Sequence, residues 1–215
     1  MYCNVNFVCI ETIVLASYNL NKAEEIQMLL GSQFNVITQQ AFDIPPIEET
    51  GTTFHENAFL KAKNVFDSID LPVIGDDSGL EVVALDNQPG IFSSRFAGAD
   101  ASDDENIDKL LEEMHNIHGK KREARFRCVI ACLGVKDADQ PIFFEGEWSG
   151  YIAQKRTGIN GFGYDPVFVD SASDLTAAEL SADQKNTLSH RGKAVQSLKL
   201  YLKTSQRQTQ SDAEL

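Results

Sequence analysis

No apolar stretch in this chain approaches the roughly 20 residues that a membrane-crossing helix needs, so a membrane partner is not expected. Nor is there a basic run longer than Lys120-Lys121-Arg122. A groove for nucleic acid needs a basic stripe to displace counterions, and 32 acids against 19 bases leave a net charge of −13, so nucleic acid is not an expected partner either. The phosphate-binding signature GxxxxGK[ST] does not occur. Cysteine is scarce: Cys3, Cys9, Cys128 and Cys132 form no CxxC pair and have no histidine at zinc-ligand spacing. Cys128 and Cys132 fall in the apolar run Arg125–Val135 and read as small buried hydrophobes. Neither disulfide nor zinc is favoured, which fits a reducing cytoplasm. Met1–Thr12 lacks the basic start and small-residue cleavage site of a secretory signal, and reads as an extension before the first strand.

What is present describes an ordinary globular protein. Its 215 residues, 42% apolar and 24% charged, suffice for one large domain or two small lobes around a shared sheet. Ile13-Val14-Leu15-Ala16 reads as a strand, Lys22–Leu30 as a helix and Phe34–Thr38 as a second strand. Asp43–Thr53 is an acidic loop, and Thr53–Ile69 a helix with Thr53 as cap and Glu56 in its first turn. Leu71–Gly75 predicts a buried strand that ends in an Asp76-Asp77-Ser78-Gly79 turn, with a further strand over Leu80–Leu85 and a turn over Asn87–Gly90. Ser102–His115 is a third helix. Arg125–Val135 and Gln140–Ile152 make a hairpin around Lys136–Asp139, Pro166–Val169 a short strand, and Leu188–Leu202 the closing helix. Residues 204–215 read as a polar tail that frays, leaving 13–203 as one domain. Strands alternating with helices, then a hairpin, predict an α/β fold with a mixed sheet.

Four constellations carry chemistry. Ser17-x-Asn19-x-x-Lys22 stands where a strand hands over to a helix, whose amino end offers unpaired N–H groups to an anion. Glu48, Glu49, Asp76 and Asp77 come from two segments that could meet at one sheet edge, and oxygen-only sites of this kind suit Mg²⁺. A carboxylate there could also deprotonate a water. In Gly161-Phe162-Gly163-Tyr164-Asp165, aromatics set between glycines let ring and backbone approach a flat ligand together. Lys185, Ser189, His190 and Arg191 cluster before the last helix, and Lys and Arg, which only donate, suit a carbonyl on a base edge. That asymmetry predicts 6-keto purines.

Taken in order, SxNxxK, EETG with FxENAxxKA, GDDSGL followed by PGxxSSRFAG, GFGYDP and QKNxxSHRGKA resemble the inosine/xanthosine triphosphate pyrophosphatase (Ham1-like) family across Ile13–Tyr201. The resemblance implies a mixed, mainly parallel sheet flanked by helices, two lobes with the active site in the cleft between them, and a cytoplasmic homodimer. It implies Mg²⁺-dependent hydrolysis of non-standard purine nucleoside triphosphates (ITP, dITP, XTP) to the monophosphate and pyrophosphate. By position, Asp77 matches the proton acceptor and a metal ligand, and Glu48 a second metal carboxylate. Ser17, Tyr18, Asn19, Leu20, Asn21 and Lys22 match the phosphate-binding turn, with Lys61 a further phosphate contact. Ser78, Phe162, Gly163, Tyr164, Asp165, Lys185, His190 and Arg191 match nucleoside-binding positions. The chain departs from the family at Tyr18, where many members have glycine, and at Val83, where many have aspartate. Competing readings are a Maf-like pyrophosphatase for other nucleotides and a nucleotide-sensing module without turnover.

Overall fold

The computed structural model describes residues 11–135 and 140–213, with side chains through Ser205. Of the expected extension Met1–Thr12, residues 1–10 lie outside the described residues, as does the hairpin tip Lys136–Asp139, while Glu11 and Thr12 belong to the first strand. The elements are β1 (Glu11–Leu15), α1 (Leu20–Leu30), β2 (Phe34–Thr38), α2 (Phe54–Phe66), β3 (Val73–Val82), β4 (Gln88–Pro89), α3 (Asp103–Glu113), β5 (Glu123–Leu133), β6 (Ile142–Ile152), β7 (Phe168–Asp170), α4 (Ala182–Leu188) and α5 (His190–Ala213).

One mixed sheet runs in the order β2-β1-β3-β5-β6-β7, with β4 beside β3. The pairings give β1, β2, β3 and β6 one direction and β4, β5 and β7 the other. Period-two alternation splits the apolar residues between two faces. Leu15, Ile74 and Ile130 meet α1 and α5 through Ile26, Leu30, Ala194 and Leu198. Val14, Val73 and Val129 meet α2 through Phe54, Ala58, Ala62 and Val65. A third cluster gathers the far half of β3 and β5 with α3 and β7, through Leu80, Phe126, Leu110 and Phe168. Two lobes therefore share β3, β5 and β6, and the middle of these strands lies between them.

Helix α2 begins with the expected capping box of Thr53 and Glu56, and Ser102 with Glu105 starts α3 in the same way. Gly75 lets α2 settle directly on β3, since a Cβ there would stand 2.2 Å from the Ala58 carbonyl oxygen. Gly146 does the same for α5 on β6, where a Cβ would lie 2.0 Å from the His190 carbonyl oxygen.

The central expectation of a turn at Asp76–Gly79 is corrected. Every residue from Val73 to Val82 is paired with β5, so the polar string lies inside one continuous strand and Leu80–Leu85 is not a separate one. Long-range pairing overrides the local turn preference of Asp, Ser and Gly. On its other edge β3 meets β1 only as far as Ile74 and β4 only from Glu81, which opens a window in the sheet between them. Smaller differences are a first helix that starts at Leu20, a short strand over Gln88–Pro89 where a turn was expected, and a closing helix broken at Ser189. Helix α5 continues to Ala213, into the segment expected as a polar tail.

Candidate active site

The cavity opens at the window beside β3. At one end, Asn19 caps α1: its side chain accepts from the Lys22 N–H at 3.0 Å, and its own N–H donates to Ser17 Oγ at 3.0 Å. Leu20 and Asn21 have exposed side chains and contribute the first N–H groups of the helix, which precede any intrahelical bond. Lys22 reaches the cavity and pairs with Asp76. Tyr18 turns away and donates its hydroxyl to the Ile44 carbonyl at 3.0 Å.

Alternation along β3 sends the two adjacent aspartates to opposite faces, so each meets its own lysine. Asp77 lines the cavity on the α2 side, where its Oδ1 accepts from Lys61 Nζ at 2.7 Å. The same ammonium donates to Glu49 Oε1 at 2.7 Å, and Glu49 Oε2 accepts from Arg95 at 2.9 Å. Burial raises the Asp77 pKa above the usual carboxylate value in spite of Lys61 and Lys22. Its Oδ2 is buried without a hydrogen-bond partner among the described residues. Glu48, expected as the second metal carboxylate, is exposed and does not line the cavity, whereas Glu49 does.

At the other end lies a cradle for a flat ring. Phe162 has Lys185 Nζ 4.9 Å and the Arg191 guanidinium 5.7 Å from its ring centre. Asp165 folds the glycine-rich loop by accepting from the Phe162 N–H at 2.9 Å, and pairs with Lys185 at 2.5 Å. Tyr164 donates to the Ser93 carbonyl at 2.9 Å. Gly163 N–H donates to Asp103, at the head of α3, at 2.7 Å. His190 stacks on Phe126 with ring centres 4.6 Å apart, and its Nδ1 has no partner among the described residues. Burial, reinforced by Arg191, holds its pKa well below the ordinary imidazole value, so the ring is neutral. Ser189 Oγ accepts from the Gly192 N–H at 3.0 Å and thereby caps α5, which fixes His190 and Arg191 in the first turn. These two residues thus open the last helix, within the expected span Leu188–Leu202, and Lys185 is on α4.

The cavity therefore unites Asn19, Lys22, Lys61, Asp77, Ser78, Phe162, Gly163, Tyr164, Asp165, Lys185, His190 and Arg191. Among the expected residues it leaves out the side chains of Ser17, Tyr18, Leu20, Asn21 and Glu48. Of the four acids it takes in Glu49 and Asp77, it adds Asp103, and Glu25 stands behind it, accepting from Lys185 at 2.8 Å and Arg191 at 2.6 Å. A detectable signal for Glu25 was its spacing, three residues after Lys22 on one face of α1.

An anion-binding helix end and a buried acid at one end of a cleft, with a cationic ring cradle at the other, define an α/β protein of the nucleotide-handling class. The profile of the Ham1 family matches residues 13–201, and the chain belongs to that family. It is 49% identical to the dITP/XTP pyrophosphatase of Methylococcus capsulatus over 185 residues, covering 85% of this chain and 91% of that protein. It is 46% identical to the dITP/XTP pyrophosphatase of Coxiella burnetii, covering 88% and 96%. The solved HAM1 protein from Coxiella burnetii superimposes with a TM-score of 0.82 at 44% identity, covering 91% of this chain and 100% of that one. The Staphylococcus aureus Ham1 protein does so with 0.80 at 42% identity, covering 90% and 99%.

Proposed function

We propose that this chain is a Mg²⁺-dependent nucleoside triphosphate pyrophosphatase that converts ITP, dITP and XTP to the monophosphate and pyrophosphate. The observation that supports it most is the unpartnered Asp77 Oδ2, set in a cleft that also holds an anion turn and a base cradle. Membership of a family whose relatives are named dITP/XTP pyrophosphatase supports the same reading.

Among the described residues no three His, Cys, Asp or Glu side chains converge on a metal position. Mg²⁺ does not require three, because one or two carboxylates with waters and phosphate oxygens complete its shell. Asp77 meets this requirement through Oδ2, which is unpartnered, whereas both Glu49 oxygens already accept, from Lys61 and from Arg95. Asp77 would hold the cation, with Glu48, exposed in the same loop as Glu49, as the second carboxylate. The bound ion would neutralise charge on the phosphates.

The residues of the chain supply the rest. Lys22, Lys61 and the first-turn N–H groups of α1 draw the polyphosphate to the Asp77 end. Asp77, with Oδ1 anchored by Lys61, takes the proton of a water at Oδ2. The water oxygen bonds to the α-phosphorus as the Pα–O bond to the β-phosphate breaks and pyrophosphate leaves. Lys185, Arg191 and neutral His190 read the base edge, and Phe162 supplies a ring to stack on. A cytoplasmic homodimer completes the reading, and sedimentation tests the dimer.

The deciding experiment incubates the protein with ITP, dITP, XTP, GTP and ATP plus Mg²⁺ and identifies both products. Pyrophosphate with the monophosphate, released chiefly from ITP, dITP and XTP, is the expected result. Orthophosphate, or an intact ITP pool, would refute it.

A further inference from the structure

Asp76 does not line the cavity and is only 1% exposed, although it adjoins the acid that does. Both of its oxygens are fully engaged. Oδ1 accepts from Lys22 Nζ and from Ser78 Oγ at 3.1 Å, while Oδ2 accepts from Arg191 Nε at 3.2 Å and from the Cys128 thiol at 3.1 Å. Arg191 also donates to Ser78 Oγ at 2.8 Å. Burial and the neighbouring Asp76 push the Cys128 thiol well above its ordinary pKa, so it remains a donor. Burial alone would raise the Asp76 pKa, but Arg191 and Lys22 hold it well below the carboxylate range. Lys22 belongs to the polyphosphate end of the cleft and Arg191 to the base end. One inaccessible carboxylate holds them both.

We propose that Asp76 is a positioning residue that couples Arg191 to Lys22, so that the fit of the base is expressed in turnover as well as in binding; this rests on the pyrophosphatase reading above. No oxygen of Asp76 is left for a cation. A base edge that fails to satisfy Arg191 moves the guanidinium, and with it the carboxylate that orients Lys22. Displacements of about 1 Å in such groups cost roughly 100-fold in rate. Buried hydrogen-bonded networks behave as units, which makes the energetic link between the two cations measurable.

The test begins with Asp76→Asn, comparing kcat and KM for ITP and ATP over a Mg²⁺ titration. The expected result is a fall in kcat for ITP of roughly 10-fold or more, a collapse of the ITP-to-ATP preference, and a Mg²⁺ midpoint within about 2-fold of wild type. A midpoint shifted by about 10-fold with the preference intact would make Asp76 a metal ligand and overturn the proposal. Should that variant not fold, the Lys22→Met and Arg191→Met pair decides. Losses in ITP turnover that are less than multiplicative in the double variant support the coupling, and strictly multiplicative losses refute it. Wild-type hydrolysis of ITP is the separate control on the reaction itself. If it fails, the same cycle is read in ITP affinity by calorimetry, where additive losses again refute the coupling.

Discussion

The two faces of β3 at its midpoint hold the same side chain in opposite states. On the α1/α5 face, Asp76 has two cations and two neutral donors and is ionised far below the usual range. On the α2 face, Asp77 shares one lysine with Glu49, keeps an oxygen unpartnered, and has its pKa raised by burial. Both are buried, so burial does not separate them. The number of donors does. A saturated carboxylate is a structural joint, and an under-satisfied one is available for chemistry.

The largest consequence concerns stability. Asp76→Asn leaves Lys22 and Arg191 without their shared counter-charge, so it should lower unfolding stability by about 3–5 kcal/mol. Asp77→Asn removes a charge that burial disfavours, so its midpoint in urea should not fall. Equal losses in the two variants would erase the distinction between the faces.

Turnover should show the reverse emphasis. Asp77→Asn keeps the shape of the side chain but removes the proton acceptor, and should cost at least about 100-fold in kcat for ITP, the lower range for one general base. Near-full activity would remove Asp77 from that role.

Acid titration separates the faces by sign. Asp76 and Glu25 have folded pKa values below their unfolded ones. Their stabilisation is therefore complete above the ordinary carboxylate pKa of about 4 and is lost as pH falls below it. Asp77 and Asp165 have raised values, so their contribution runs the other way and is lost as pH rises through the folded pKa. Urea unfolding from pH 6 down to pH 3 should show a decline for wild type that is clearly shallower in Asp76→Asn.

The smallest effect lies outside the acid pair. Tyr18→Phe removes one part-buried hydroxyl bond to Ile44 and should cost about 1 kcal/mol, or about 2–4 °C in melting temperature, with ITP turnover unchanged. A large loss of turnover would place Tyr18 among the phosphate-binding groups after all.

The helices were readable because their signals are local: Thr53 and Glu56 form the capping box that their spacing announces. Most of the cleft was readable too, since the motifs fix residue types at fixed offsets. The run of β3 through Asp76–Gly79 was not, because that string favours a turn and only the partner strand β5, where Cys128 stands opposite Ser78, holds it extended. The placement of Glu49 in the cleft and of Glu48 outside it was equally hidden, since adjacent loop residues point apart for reasons of tertiary geometry. The role proposed for Asp76 depended on the first of these.

Gly75 bears on all of this. With no side chain between α2 and β3, the two elements rest main chain on main chain, and Ala58 and Lys61 ride on the same rigid cylinder. The reach of Lys61 to Asp77 is thus gauged by the thickness of bare backbone. A single methyl group at position 75 would act as a shim, lifting the ammonium off its acid without touching either residue.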